Sequence, residues 1–285
     1  MTSGSDHSED SDQVLSRIDS TVPHSARMWN HWLGGKDNYE VDRAAGDQIR
    51  QLHPGILDYA RADRAFLGRA VRHLGQDAGI RQFLDIGTGL PTADNTHEVA
   101  QRVAPESRIV YVDNDPLVLT HARALLTSTS EGATDYVEAD LHDPESILRE
   151  ATRTLDLGKP TAIMLLGIVM FVADTDRARS IIRTLVDAVP SGSYLVLSHT
   201  ITAPGLTDVD EAVRFWNSVG TPKLHQRTPE EVATFFDGMD LLEPGVVSCS
   251  RWRPEPSPFG GEPEEPEEPE EPEEVAFYCG VARKP

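Results

Sequence analysis

Cysteine is nearly missing from this 285-residue chain: only Cys249 and Cys279 occur. They form no CxxC pair, which excludes a disulfide framework and leaves a structural zinc site without a ligand set. Basic residues are scarce. Lys and Arg number 26 against 47 Asp and Glu, for a formal charge of −21. Much of that excess is local. Nine Glu lie in 262–274, and Asp6, Glu9, Asp10 and Asp12 open the chain, with no Lys or Arg in either segment. Without those two segments the charge is −8, ordinary for an acidic globular protein. Nucleic acid and anionic membranes are poor partners for such a chain, because binding them rests on Lys and Arg neutralising phosphate. Long apolar runs are missing too. The longest, 162–173, is too short to span a bilayer. The opening MTSGSDHSEDSDQ has neither a basic nor an apolar region of the kind a signal peptide needs, so a cytoplasmic protein is expected. Several catalytic signatures are also lacking. His97-Glu98 begins an HExxH pattern that fails at Gln101, and no GxSxG or Walker A string occurs.

What is present has a clear order. Residues 1–18 are polar and acidic, the composition of a disordered tail. Residues 19–80 read as a helical cap or lid, with the clearest helix at 56–74 and Gly75 as its stop. From residue 81 short apolar runs at 82–86, 108–113, 136–140, 161–166 and 194–198 alternate with helical stretches at 95–103, 116–126, 144–155 and 175–189. That alternation predicts a parallel sheet covered on both faces, in a domain running to residue 285. Two further helices are expected at 208–219 and 229–237. Strands at 241–250 and 275–283 have only a Pro/Glu tract between them, so they should pair as an antiparallel hairpin. The tract itself, 262–274, places Pro at 263, 266, 269 and 272 among mutually repelling Glu, which predicts a disordered, solvated loop.

Chemistry concentrates at the predicted strand ends. The first ends in Asp85-Ile86-Gly87-Thr88-Gly89, where a Gly-x-Gly turn lets a ligand approach the backbone. The second ends in Asp113-Asn114-Asp115, with Asp113 placed to accept ribose hydroxyls and Asp115 placed to cap the helix opened by Pro116. The third ends in Asp140-Leu141, where a carboxylate can receive an adenine amino group. Three acidic strand ends describe a site for a nucleoside-bearing cofactor. A dinucleotide fingerprint wants a third Gly where Thr92 stands, and nothing acidic where Asp85 stands. S-adenosylmethionine (SAM) is therefore favoured over NAD(P).

The stretches VPHSARMWNHWLGGKDNYEVDR (22–43), RAFLGRAVRHLGQDAGIRQFLDIGTGLPT (64–92), VAPESRIVYVDNDPLVLTHARALL (103–126), SYLVLSHT (193–200) and the final YCGVARKP resemble an actinobacterial SAM-dependent methyltransferase family long known only as a domain of unknown function. The resemblance runs from about residue 18 to 285. It implies a Rossmann-like class I methyltransferase fold: a seven-stranded, mostly parallel α/β sheet with an antiparallel last strand. It implies that Gly87 and Gly89 pass under the methionine moiety, that Asp113 binds ribose, and that Asp140 and Leu141 border adenine. Many members carry a His just after the fourth strand, where this chain reads Gly167-Ile168-Val169-Met170-Phe171; Met170 cannot do a histidine's proton work.

The block from Arg27 to Tyr39, rich in aromatic, amide and charged residues, suits a lid over the strand ends. Arg27 or Lys36 could pair with the methionine carboxylate of SAM, and His31 or Tyr39 could face the acceptor. His199, after the fifth strand, is a candidate general base. The expected activity is methyl transfer from SAM to a small-molecule acceptor. A SAM-binding module without turnover and an NAD(P)-dependent oxidoreductase stay open as alternatives.

Overall fold

The computed structural model describes residues 18–125, 127–255 and 272–285. The expected acidic tail, apart from Ile18, and the Pro/Glu loop, apart from 272–274, lie outside the described residues. Three helices precede the sheet: α1 (Ser25–Trp32), α2 (Glu40–Leu52) and α3 (Ile56–Gln76). Strands and helices then alternate through β1 (Gln82–Ile86), α4 (Thr96–Val103), β2 (Arg108–Asp113), α5 (Pro116–Leu125), β3 (Ala133–Glu138), α6 (Pro144–Ala151), β4 (Ala162–Leu166), α7 (Thr175–Asp187) and β5 (Tyr194–Thr200). The chain ends with α8 (Thr207–Val219), α9 (Pro229–Ala233), β6 (Asp240–Leu241), β7 (Val247–Ser248) and β8 (Phe277–Arg283).

The sheet order is β3-β2-β1-β4-β5-β8-β6. Strands β1 to β5 are parallel, and β8 runs antiparallel to β5. Both β6 and β7 pair antiparallel with β8, opposite Ala282–Arg283 and Tyr278–Cys279 respectively. They are two pieces of one edge strand, so the sheet has the seven positions expected. The single strand read at 241–250 is interrupted because Pro244 has no N–H to give to the ladder and the chain turns at Gly245 (φ +92°). Strand β3 starts and ends earlier than the apolar pattern suggested. It is an edge strand, half-exposed along most of its length, so its polar Thr134 and Asp135 disguised its start. Helix α3 passes through Gly75. The turn out of it comes at Gly79, whose φ of +69° lets the Ile80 amide return to the Leu74 carbonyl at 2.9 Å.

Side chains alternate across the sheet with period two. Phe83, Ile109, Tyr111, Met164 and Val196 face a core shared with α1 to α4 and α8. Leu84, Val110, Val112, Ile163, Leu165 and Leu197 face a second core under α6, α7 and α9. Met28, Ile49, Tyr59, Phe66 and Leu74 pack in the same cluster as Phe83 and Phe277, so residues 19–80 have no core of their own. The cap is built onto one face of the sheet. It overhangs the carboxyl ends of β1, β2 and β4, where the strand order switches direction and α/β folds place their ligands.

Candidate active site

A cavity of about 310 Å³ opens at those strand ends. Its floor is the β1 turn. Gly87 has φ +77° and Gly89 φ +67°, and a Cβ on Gly87 would meet Ile168 at 2.6 Å. Only glycine serves there. Asp85, Thr88, Asn114, Asp140 and Leu141 line the same space. Its roof is α1, through Ser25, Trp29 and Asn30, together with Thr221 and Pro222. The roof is fastened where the Thr221 amide donates to the Pro23 carbonyl at 3.2 Å and the His24 amide donates to Asp42 Oδ1 at 2.9 Å.

The carboxylates here are held in place by the backbone. Asp113, 9% exposed, accepts the Gly89 amide on Oδ2 and the Asp115 amide on Oδ1, both at 2.9 Å. Asp115 instead accepts from Leu117 N at 2.8 Å and caps α5. Asp85, 5% exposed, accepts from Thr96 Oγ1 at 2.6 Å. Burial raises Asp85 and Asp113 each to about 6. Asp140 is more open. Partial burial pushes its pKa up, but hydrogen bonds from the backbone and ring of His142 and from Asn114 prevail and leave it below the ordinary carboxylate value.

Two cavity residues carry no motif. Asp63 and Arg64 lie on α3, between Ala60 and Leu67, and all four line the cavity. Burial lifts Asp63 to about 6. Arg64 gives Nη2 to the Ala93 carbonyl and to Asn95 Oδ1, both at 3.1 Å, while its Nε is buried without a partner. The signal for them was positional. They fill the middle of an i, i+3, i+4, i+7 stripe that is otherwise apolar, on a face directed inward.

Five candidates stand elsewhere. Arg27 is committed to Asp42, with Nε 2.9 Å from Oδ2, and to the carbonyls of Asp19 and Val22. That ties each of its three nitrogens to the cap, and Arg27, buried there, does not line the cavity where a methionine carboxylate would lie. Tyr39 lies under the Arg27 guanidinium at 5.1 Å and packs against Leu90 and Leu117. His31 pairs with Asp47 at 3.2 Å on the outer side of the cap. Lys36 is exposed and does not line the cavity. His199 is fully buried, on the opposite face of the sheet from the cap. It is fixed between the Thr200 carbonyl (Nδ1, 2.6 Å) and Arg227 (Nη1 to Nε2, 2.8 Å), and burial lowers it to about 3. A strand pleat sends neighbouring residues to opposite faces, so a one-residue step separates His199 from the site.

Residues 11–285 match the model of a family described as S-adenosyl methyltransferase. The chain belongs to that family. A solved DUF574-family protein from Streptomyces avermitilis is 46% identical over 94% of this chain and 100% of its own, with a TM-score of 0.85. A protein from Thermobifida fusca, provisionally assigned as a methyltransferase, is 39% identical over 92% of this chain and 95% of its own, with a TM-score of 0.80. No curated protein matches. The chain is thus a SAM-dependent methyltransferase, and the choice between SAM and NAD(P) falls to SAM. Among the described residues no helix is long and apolar enough to cross a membrane, and no cluster of metal ligands occurs.

Proposed function

We propose that the strand-end cavity holds SAM, under residues 19–80 acting as a lid, and serves a small-molecule acceptor. The observation that carries this reading is the charge layout of one roofed cavity: buried carboxylates at 85 and 113 and the half-buried Asp63 beside an arginine Nε with no partner among the described residues. The residues fit the molecule. Asp113 uses one lone pair of each oxygen on the backbone and keeps others for vicinal ribose hydroxyls. Asp140 and Leu141 border the adenine. Gly87 and Gly89 leave room over the turn for the methionine chain. Arg64 pairs with its carboxylate, the role first given to Arg27 or Lys36, and Asp85 and Asp63 face its ammonium. SAM supplies a methyl group on a positively charged sulfur, open to direct displacement by a lone pair. The protein's part is to align the acceptor and exclude water, which α1 does by closing the strand ends. The fastened roof favours a small acceptor over a polymer, which needs an open groove.

A thermal-shift screen tests cofactor choice. SAM at a hundredfold excess over its dissociation constant stabilises the fold by about 2.7 kcal/mol, a rise of roughly 5–10 °C for a domain of this size. A shift with NADH and none with SAM overturns the reading. Labelled-methyl transfer in a cell extract tests the acceptor: the label should enter the solvent-soluble fraction, and its appearance in precipitated polymer would refute the small-molecule acceptor.

A further inference from the structure

Beside the SAM cavity lies a second, smaller compartment of about 60 Å³. Ser25, Trp29 and Phe171 line both spaces, so a single wall of side chains divides them. Apart from His53 and Thr200, the rest of the second compartment is lined by aliphatic and aromatic side chains, with Trp32, Tyr59, Trp216, Met170 and Ala212 among its walls. Among the described residues no Lys, Arg, Asp or Glu lines it. Two buried polar atoms on its walls lack partners among the described residues, Thr200 Oγ1 and His53 Nε2, and the second has its chemistry fixed by a neighbour. His53, 12% exposed, holds Asp208 Oδ2 at 2.6 Å through Nδ1, while its Nε2 is buried with no partner at all.

This pairing fixes what Nε2 can do. Burial pushes the Asp208 carboxyl up, but hydrogen bonds from His53 and from the Val209 backbone outweigh it and hold it below its ordinary value. It is therefore ionised near neutrality and can only accept, which puts the hydrogen on Nδ1. In the neutral ring Nε2 is then a bare acceptor. A buried acceptor without a donor costs free energy, so the group that belongs opposite it is an O–H or N–H from a ligand. Helix α8 supplies Asp208, and the α2–α3 connection supplies His53, 155 residues away in sequence. The ring also rests against Gly55, where an added Cβ would come within 3.2 Å of it.

We propose that this compartment is the acceptor subsite of the methyltransferase and takes a compact, uncharged aromatic molecule bearing a hydroxyl or N–H that donates to His53 Nε2. This rests on the SAM reading of the neighbouring cavity and extends it to the acceptor's chemistry. The aromatic walls suit a flat ring. The absence of a lining cation disfavours carboxylate or phosphate bearers. The free volume is less than half of the ~150 Å³ that holds a benzene ring in an apolar cavity. Even a single ring therefore enters only by shifting Trp29 or Phe171, the wall shared with the methyl donor.

The test is calorimetric titration of the full chain with p-cresol and with toluene, each with and without S-adenosylhomocysteine (SAH). The two ligands have the same shape apart from one hydroxyl. Wild type should bind p-cresol about tenfold more tightly than toluene. His53→Phe should abolish that contrast, and Asp208→Asn, which frees the tautomer, should shrink it. Ala212→Leu, which fills the compartment, should remove binding of both. Equal affinity for the two ligands in wild type, a contrast that survives in a folded His53→Phe or Asp208→Asn, or failure of wild type to bind either ligand overturns the proposal. Titrating SAH alone separates the two readings. Loss of SAH binding in wild type defeats the cofactor assignment, while the p-cresol contrast measured without SAH still judges this site.

Discussion

Asp113 couples the β1 turn to the end of β2 through two backbone amides, and it does so while buried. Its removal should therefore act first on ligand affinity. Charge-assisted hydrogen bonds are worth about 1.5–3 kcal/mol each. Asp113→Ala should weaken SAH binding tenfold or more in a protein that still melts cooperatively, and unchanged calorimetric affinity would place the ribose elsewhere. The titration of the cavity gives a second prediction. Asp85 and Asp113 are raised by burial to about 6, above the ordinary carboxylate value. Between pH ~4 and ~6 the folded chain holds protons that the unfolded chain has released. The stability these two groups lend is full below about pH 4 and is lost as pH rises through 6. Ligand affinity runs the other way, because an ammonium and ribose hydroxyls need the ionised form. The SAH dissociation constant should fall as pH rises from 5 to 7, and less so in Asp113→Asn. A flat profile in wild type would mean the carboxylates do not contact the ligand.

Helix α1 roofs the cavity, and one buried ion pair is among the contacts that tie it to the rest of the cap. Arg27 and Asp42 meet at 2.9 Å, and Asp42 also accepts the backbone amides of His24 and Tyr39. Taking away one member of a buried pair leaves the other charge uncompensated, at a cost of about 3–5 kcal/mol. Arg27→Ala should lower the melting temperature by on the order of 10 °C. Arg27→Lys should not restore it, because one ammonium cannot replace a fork of donors spread over three partners. Lys36→Ala, on the exposed side, should change stability by less than about 0.5 kcal/mol and leave SAH affinity alone. Equal effects from Arg27→Ala and Lys36→Ala in a melting experiment would contradict this division. The same contrast shows what sequence reading could reach. Elements with strong period, such as β1, β2 and α7, were legible nearly to the residue, and the glycine turn with Asp113 and Asp140 marked the cavity. Arg27 and Lys36 looked alike because both are basic and both sit in the same motif-rich block. Only tertiary partners separate them. Asp63, Arg64 and the His53–Asp208 pair carried no motif for the related reason that their meaning comes from packing: a helix stripe turned inward, and the start of α8 brought against the α2–α3 connection across 155 residues.

At the scale of the whole molecule the charge is uneven, and the Pro/Glu tract is its largest concentration. Its boundaries are tied down. Ser250 Oγ donates to the Glu273 carbonyl at 2.7 Å, and Arg251 reaches the Pro272 carbonyl at 3.2 Å and Glu274 at 3.0 Å. Trp252, fully buried, and the Arg72–Glu255 pair anchor the chain just before it. These contacts define what can be removed. Deleting 262–271 takes out seven Glu and three Pro and no apolar residue, changing the formal charge from −21 to −14. It halves the connection between Arg251 and Pro272, which lowers loop-closure cost by about 0.6 kcal/mol. Six residues, 256–261, remain to join Glu255 to Pro272, with a reach of roughly 23 Å. Weaker self-repulsion acts in the same direction. The deletion should therefore leave the melting temperature equal or slightly higher, raise the isoelectric point, and reduce solubility near neutral pH. Its β7–β8 flanks lie on the far side of β5 from the Gly87–Asp113 rim, so SAH affinity should not change. Calorimetry and melting on the shortened chain decide the matter. A loss of SAH binding, or a fall in melting temperature of more than a few degrees, would show that the tract belongs to the site or to a contact that stabilises the fold.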